Sequence, residues 1–202
     1  QDGALAAIIF IGDQLKTDAA FVIKALHDQG MKSIMISGDE KSVALKVGCE
    51  LHMDDVVAEA KPDDKLMEIE RRSKMQRLGF VGDGVNDAPS LARADVGVAM
   101  SSGADVAMES ADVVLMGKRL TSLLSAVELS KRTMANIRQN MLWAFGYNTA
   151  LIPVAAGVLY PINGMLLSPM LAAFAMSLSS VFVLLNAMRL YGWKPFYQHK
   201  DM

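Results

Sequence analysis

Cysteine is almost absent. Cys49 stands alone among 202 residues, which excludes an internal disulfide framework and fits a reducing compartment. Neither sign of charge dominates: 20 Lys and Arg against 22 Asp and Glu leave a net charge of −2, so the basic footprint of a nucleic-acid-binding protein is missing. From Gln139 to Met188 charge is lacking altogether, fifty residues without Asp, Glu, Lys, Arg or His. A membrane-spanning helix needs about 20 apolar residues, so this run predicts two of them; a buried hairpin inside a water-soluble core is the bland alternative. The sequence shows no signal peptide, no internal repeat and no low-complexity linker. It opens Gln-Asp-Gly and not with Met, and a longer parent protein is the expectation. The three histidines, His27, His52 and His199, are scattered without metal-ligand spacing.

The most specific string present is Gly82-Asp83-Gly84-Val85-Asn86-Asp87-Ala88-Pro89, which follows the apolar run Leu78, Phe80, Val81. Glycines at 82 and 84 permit a sharp turn and a close ligand approach. Asp83 and Asp87 are thereby expected at the C-terminal end of a strand, where open α/β sheets place their chemistry. Two carboxylates beside such a turn suit Mg²⁺, which favours a few acidic ligands together with water and phosphate oxygens. A bare Gly-Asp-Gly is more often only a turn; the full eight-residue string is far more selective.

Around it, apolar runs alternate with amphipathic segments. Strands are predicted over Ala4–Gly12, Lys32–Ile36, Val56–Ala58, Leu78–Gly82, Asp95–Met100 and Asp112–Met116. Helices are predicted over Asp18–Gln29, Glu40–Leu51, Pro62–Gln76, Asn86–Arg93 and Ala104–Ser110. This alternation argues for a mainly parallel sheet covered by helices. A polar helix then runs from Leu120 to Arg138 and on without a break into the apolar span Asn140–Tyr160. Pro161–Gly164 reads as a turn, and Ser168–Leu190 as the second span. Lys131, Arg132, Arg138, Arg189, Lys194 and Lys200 make both outer flanks basic, which places both ends of the hairpin, and the α/β domain, in the cytosol. Trp143 at one end and Tyr191, Trp193, Phe196 and Tyr197 at the other fit an interfacial aromatic belt.

Three further positions fit phosphate chemistry. Ser37 follows a strand and offers a hydroxyl beside the backbone of Gly38 and Asp39; a plain turn with an N-cap explains the same triplet. Lys65, near a helix start, can bring an ammonium to a phosphate, although a solvated lysine is the commoner case. Asn86 lies between the two aspartates. Phosphoryl transfer asks chiefly for positioning and charge neutralisation, which such a set supplies.

Ser37-Gly38-Asp39, Lys61-Pro62-Asp63-Asp64-Lys65 and the Gly82–Pro89 string together resemble the later motifs of the phosphorylation domain of P-type ATPases, members of the haloacid-dehalogenase superfamily. Ala94–Met100, Gly103–Ala107 and Ala111–Leu115 are also similar to that family. The resemblance implies an α/β, haloacid-dehalogenase-like Rossmannoid parallel-sheet domain (1–118), a long stalk helix (119–138), a transmembrane helical hairpin (139–190) and a cytosolic tail (191–202). It implies ATP-driven ion transport through an aspartyl phosphate, with Mg²⁺ on Asp83 and Asp87, Lys65 acting beside them, and Ser37, Gly38, Asp39 and Asn86 at the phosphate. The family's Asp-Lys-Thr-Gly-Thr string is not in this sequence, nor are the nucleotide-binding and actuator domains, so this segment alone is expected to be inactive. Asp13 ends a predicted strand but is followed by Gln14-Leu15-Lys16. A membrane-tethered phosphatase using Asp13, or a non-catalytic fragment that binds Mg²⁺ and phosphate, are the alternatives.

The apolar spans resemble the last two membrane helices of copper(I)-transporting members, which implies that Tyr147, Asn148, Met176 and Ser180 line the ion path. Met176 and Ser180 are four apart and share a helix face. A soft monovalent ion needs no carboxylate ligand, and a zinc or cadmium pump is expected to keep an acidic or lysine side chain here. Pro153 and Gly157 are expected to loosen the first span. The resemblance further implies an integral protein of the plasma (inner) membrane, if bacterial. Its partners would be the lipid bilayer, Cu⁺, a copper chaperone and the rest of the pump: nucleotide-binding domain, actuator domain and other membrane helices.

Overall fold

The computed structural model describes residues 15–82, 85–100, 109–117, 119–164 and 168–195; for residues 85, 163, 169, 171–173, 175 and 176 it describes the backbone alone. The chain divides into two compact units, Gln1–Leu124 and Ser125–Met202.

In the first unit, helix and strand alternate: α1 (Ala19–His27), β1 (Ile34–Ile36), α2 (Lys41–Glu50), β2 (Asp55–Val57), α3 (Pro62–Ser73), β3 (Gly79–Gly82), a 3₁₀ turn (Val85–Asp87), α4 (Ala88–Arg93), β4 (Val96–Met100) and β5 (Val113–Leu115). All described strand pairs are parallel, as helical crossovers demand. The single sheet expected from the sequence is present as two among the described residues, β1-β2 and β3-β4-β5. The predicted strand Ala4–Gly12, Asp13 and most of the predicted helix Ala104–Ser110 lie outside the described residues. The predicted helix Asn86–Arg93 begins instead as the 3₁₀ turn, with α4 following from Ala88.

Register in the three-stranded sheet is set by a device used twice. Asp95, just before β4, accepts the Leu78 N–H at 2.8 Å, and Asp112, just before β5, accepts the Gly97 N–H at 2.8 Å. Each carboxylate thus satisfies a backbone donor on the preceding strand, and the paired Ala-Asp-Val triplets at 94–96 and 111–113 have a structural reason. Leu91 and Ala99 are fully buried, with Phe80 and Ala111 packed against them. This core fixes β3 and α4, between which the 3₁₀ turn is held.

Helix α5 (Thr121–Ala155) is continuous over 35 residues, about 50 Å at 1.5 Å per residue. Its first backbone N–H, that of Thr121, donates to Asp18 Oδ2 at 2.9 Å, a side-chain cap supplied from far along the chain. Leu124 is fully buried, so the first turn of α5 is part of the first unit. The sequence extends this helix to Tyr160, but it stops at Ala155. Pro153 cannot donate the helical hydrogen bond to the Thr149 carbonyl. Gly157, at φ +87°, then closes the end: its N–H donates to Val154 O at 3.1 Å and that of Val158 to Pro153 O at 3.1 Å, the paired bonds of a left-handed C-terminal cap. The expected turn at 161–164 is a short helix, α6 (Tyr160–Asn163), with Pro161 in its first turn, where a missing N–H costs nothing. Helix α7 (Pro169–Met188) follows. Among the described residues no helix is long and apolar enough to cross a membrane.

Candidate functional site

The sequence predicts that Ser37, Lys65 and the Asp83/Asp87 pair converge on one phosphate and its metal. Helix α3 brings Lys65 to its place through its own first turn: Pro62 stands at its start, and Asp64 accepts the Lys61 backbone N–H at 3.0 Å. One turn beyond Lys65, α3 is anchored. Glu68 accepts from Arg71 at 2.6 Å and from Arg72, while Arg72 also binds Asp55 of β2. Glu70 pairs with Arg93 of α4 at 2.8 Å. The hydrogen bond from Arg71, reinforced by Arg72 against the cost of burial, lowers the Glu68 carboxyl to about 2. Asp55 is lowered mainly by its hydrogen bond from Arg72, and Glu70 by that from Arg93. These pairs fix α3 against β2 and α4, the elements on either side of the site.

The result is a short ion pair: Lys65 Nζ lies 2.9 Å from Asp87 Oδ1, with the two side chains 20% and 13% exposed. Asp87 closes the 3₁₀ turn beyond β3, at the C-terminal end of a parallel strand. The backbone of Gly82 explains how it fits. A Cβ on Gly82 would lie 2.9 Å from Asp87 Cβ and 3.0 Å from its Oδ2, so the absent side chain makes room for the carboxylate. Asn86 is exposed beside it. Asp83 and Gly84 lie outside the described residues.

Ser37 continues β1, with its N–H on Val57 O at 2.9 Å. Its hydroxyl donates to Asp39 Oδ2 at 2.6 Å and accepts the Asp39 N–H at 3.2 Å. This is a hydroxyl-stabilised turn; the helix N-cap position belongs to Glu40. Gly38 and Asp39 are exposed, and the loop is tied back by Ala60 N–H to Ser37 O and Glu59 N–H to Asp39 O, at 2.9 and 3.0 Å. The structure therefore unites Lys65 with Asp87, and Ser37 with Asp39.

For Mg²⁺ the donor chemistry fits. Asp87 supplies hard oxygens in the space that the missing Gly82 side chain leaves to it, and the ammonium of Lys65 beside it suits a phosphate brought in with the ion. Among the described residues no group of three or more His, Cys, Asp or Glu side chains could hold a metal ion.

In the second unit, Tyr147 is half-buried on α5, and Asn148, exposed, donates its amide to Ala144 O one turn back at 2.8 Å. Ser180 is exposed on α7; the Met176 side chain is outside the description. The sequence reading missed the seam between these helices. Asn136 Nδ2 donates to the Asn186 carbonyl at 2.7 Å, Asn186 Nδ2 to Asn140 Oδ1 at 2.9 Å, and Asn140 Nδ2 to Asn136 Oδ1 at 3.1 Å. Arg132 lies over the Trp193 ring at 5.9 Å, and Trp143 stacks on Phe182 at 6.3 Å with planes 19° apart. The signal was the four-residue spacing of Arg132, Asn136 and Asn140 on one helix face; the sequence reading took the first as a flanking charge and the tryptophans as interfacial anchors.

A family model described as "Hydrolase: haloacid dehalogenase-like hydrolase" matches residues 2–95. Over 195 residues the sequence is 54% identical to "Copper-transporting ATPase 1" of Rhizobium meliloti (strain 1021), covering 96% of this chain and 24% of that protein. It is 55% identical over 190 residues to "Copper-transporting P-type ATPase" of Rhizobium leguminosarum bv. viciae, covering 94% and 23%. Among solved structures, a zinc-transporting PIB-type ATPase in its E2.Pi state superposes with a TM-score of 0.78 at 36% identity, over 88% of this chain and 28% of that one. The chain spans about a quarter of the length of these relatives.

Proposed function

Because the chain belongs to the P-type ATPases, as a segment of about a quarter of their length, we propose that it forms the phosphorylation-domain and membrane-hairpin part of an ATP-driven copper(I) exporter. The observation that carries this reading is the Lys65–Asp87 pair, 2.9 Å apart at the end of a parallel strand. Asp87, with Asp83, would hold Mg²⁺; when bound, the ion neutralises charge on the transferring phosphoryl oxygens. Lys65 orients the phosphate by charge. Ser37 turns its hydroxyl from Asp39 to a phosphate oxygen, joined by the exposed backbone of Gly38 and Asp39 and by Asn86. The aspartate that carries the phosphoryl group, and the ATP site, belong to the remainder of the pump.

The helical unit would be the membrane hairpin, α5 doubling as the stalk that leads out of the first unit, in the division 1–118, 119–138, 139–190 and 191–202. Supporting this are the charge-free run and the exposure of its apolar side chains: Leu142 at 73%, Ile152 at 67% and Met170 at 84%. Lipid is a solvent in which such exposure is favourable. The basic flanks at Arg132, Arg138, Arg189 and Lys194 support a cytosolic placement of both ends and of the α/β unit, in the inner membrane if the source is bacterial. Tyr147, Asn148, Met176 and Ser180 would line the copper path. The lack of any carboxylate or lysine between Gln139 and Met188 favours copper(I) over the zinc of the structural relative, since a thioether suits the softer ion and a monovalent charge needs no carboxylate. A copper chaperone would deliver the ion.

The test is made in the full-length pump. Asp83→Asn and Asp87→Asn are each expected to slow phosphoenzyme formation from ATP, in the presence of copper(I), by about 100-fold or more. Near-normal rates for both would overturn the reading.

A further inference from the structure

We propose that Asn136, Asn140 and Asn186 are positioning residues: their amide ring locks the register of α5 against α7, and so sets the level at which Tyr147 and Asn148 meet the Met176–Ser180 segment. The proposal rests on the reading of those four residues as the copper(I) path. The ring is closed. Asn186 donates to Asn140, Asn140 to Asn136, and Asn136 to the Asn186 carbonyl, a group near the C-terminal end of α7 where helical carbonyls lack partners. Asn136 is 8% exposed. Sliding either helix by one residue breaks both bonds between the helices at once and leaves the buried Asn136 amide without its partner across the seam, a penalty an apolar seam does not impose. A single asparagine fixes register in coiled coils by the same means.

The flanking contacts give the register itself. Arg132 and Trp143 are eleven residues apart on one side of the seam, and their partners Trp193 and Phe182 are eleven apart on the other. With the Asn140–Asn186 bond, the Trp143–Phe182 stack sets one antiparallel register between α5 and α7. Four residues beyond the Trp143–Phe182 stack, the same register puts Tyr147 level with Leu178 and Asn148 level with Ser177, within Met176–Ser180. The ring sits about two helical turns away from that level, so it acts through helix position.

The experiment uses the full-length pump in membrane vesicles and reads two quantities: the copper(I) concentration for half-maximal ATPase, and phosphoenzyme formed from inorganic phosphate without copper. Asn140→Ala and Asn186→Ala are each expected to raise the first by roughly 10-fold or more, as loss of a ligand-orienting partner does. The second stays within about twofold, and the double variant is no worse than either single one because one ring is broken in each case. If alanine variants fail to accumulate, Asn140→Ser, which retains a hydroxyl, carries the same expectation. An unchanged copper requirement in variants that still form phosphoenzyme from phosphate overturns the lock. Parallel Tyr147→Phe and Met176→Leu variants separate the two levels. If they shift the copper requirement while the asparagine variants do not, only the lock falls; if they leave it unmoved, the copper path falls and the lock's role with it.

Discussion

Gly82 and Asp87 show what a single missing side chain does. The glycine's place at the end of β3 lets the Asp87 carboxylate fold over the strand and reach Lys65. Gly82→Ala would drive a methyl into the Cβ and Oδ2 of Asp87, and the aspartate must move by a few tenths of an ångström or more. Because small misplacements of a charged positioning group cost up to about 100-fold, the variant pump is expected to form phosphoenzyme at least about tenfold more slowly while still folding. A wild-type rate measured by rapid quench would show that Asp87 tolerates displacement. This residue pair was legible in the sequence as a glycine elbow flanked by acids, although the close approach that the glycine permits in this structure is that of the aspartate. The shared face of Asn136 and Asn140 was legible from their four-residue spacing, but their meeting with Asn186 was not. Their partners lie 46 and 50 residues apart in sequence, and nothing short-range announces which asparagines will face one another.

At the scale of elements, α3 is tied by ion pairs to β2 and α4 and presents Lys65. Its anchor is electrostatic and hence pH-dependent. The folded Glu68 carboxyl titrates at about 2, below its ordinary value of 4.5. A depressed carboxyl contributes stability that is complete above the unfolded value and is lost as pH falls through the folded one. The α3–β2 contact is therefore expected to weaken between pH of about 4.5 and about 2, and Asp55 and Glu70, lowered in the same direction, add to it. Glu68→Gln should reduce this acid dependence, leaving the share that Asp55 and Glu70 contribute. Hydrogen exchange in residues 55–57 and 62–73 measures it; an unchanged acid profile in the variant would show that other groups hold the helix. The helices and strands themselves were largely read in advance, because period and punctuation are local properties. Ends were read less well. The first long helix runs short of its apolar run because Pro153 and Gly157 cooperate to stop it, a geometric closure that counting hydrophobic residues does not reveal.

The helical unit leaves many of its described apolar side chains exposed, and this bears on where the molecule can reside. Phe145 and Phe174 are 66% and 65% exposed, and Leu184 and Leu185 are 61% and 55%. Water penalises such exposure, whereas in lipid it needs no cover. The seam between α5 and α7 adds to the argument. Asn140 and Asn186 satisfy one another instead of water, as polar groups in membrane helices do. The full chain is therefore expected to sediment with membranes and to resist extraction at alkaline pH. Replacing Leu184 and Leu185 with lysine introduces two charges at a cost of about 2.5–3.5 kcal/mol each near a helix centre, less toward its ends. Because Asn186 places this segment near the ring that ties α7 to α5, the charges also lie close to the basic flank at Arg189, where side chains can snorkel to the surface. The sharper comparison is thus Phe174→Lys, farther from that flank: it should release more of the chain into the alkaline supernatant than Leu185→Lys does. Equal extraction of both variants, or a monodisperse wild-type chain in buffer without detergent, would place the hairpin in water.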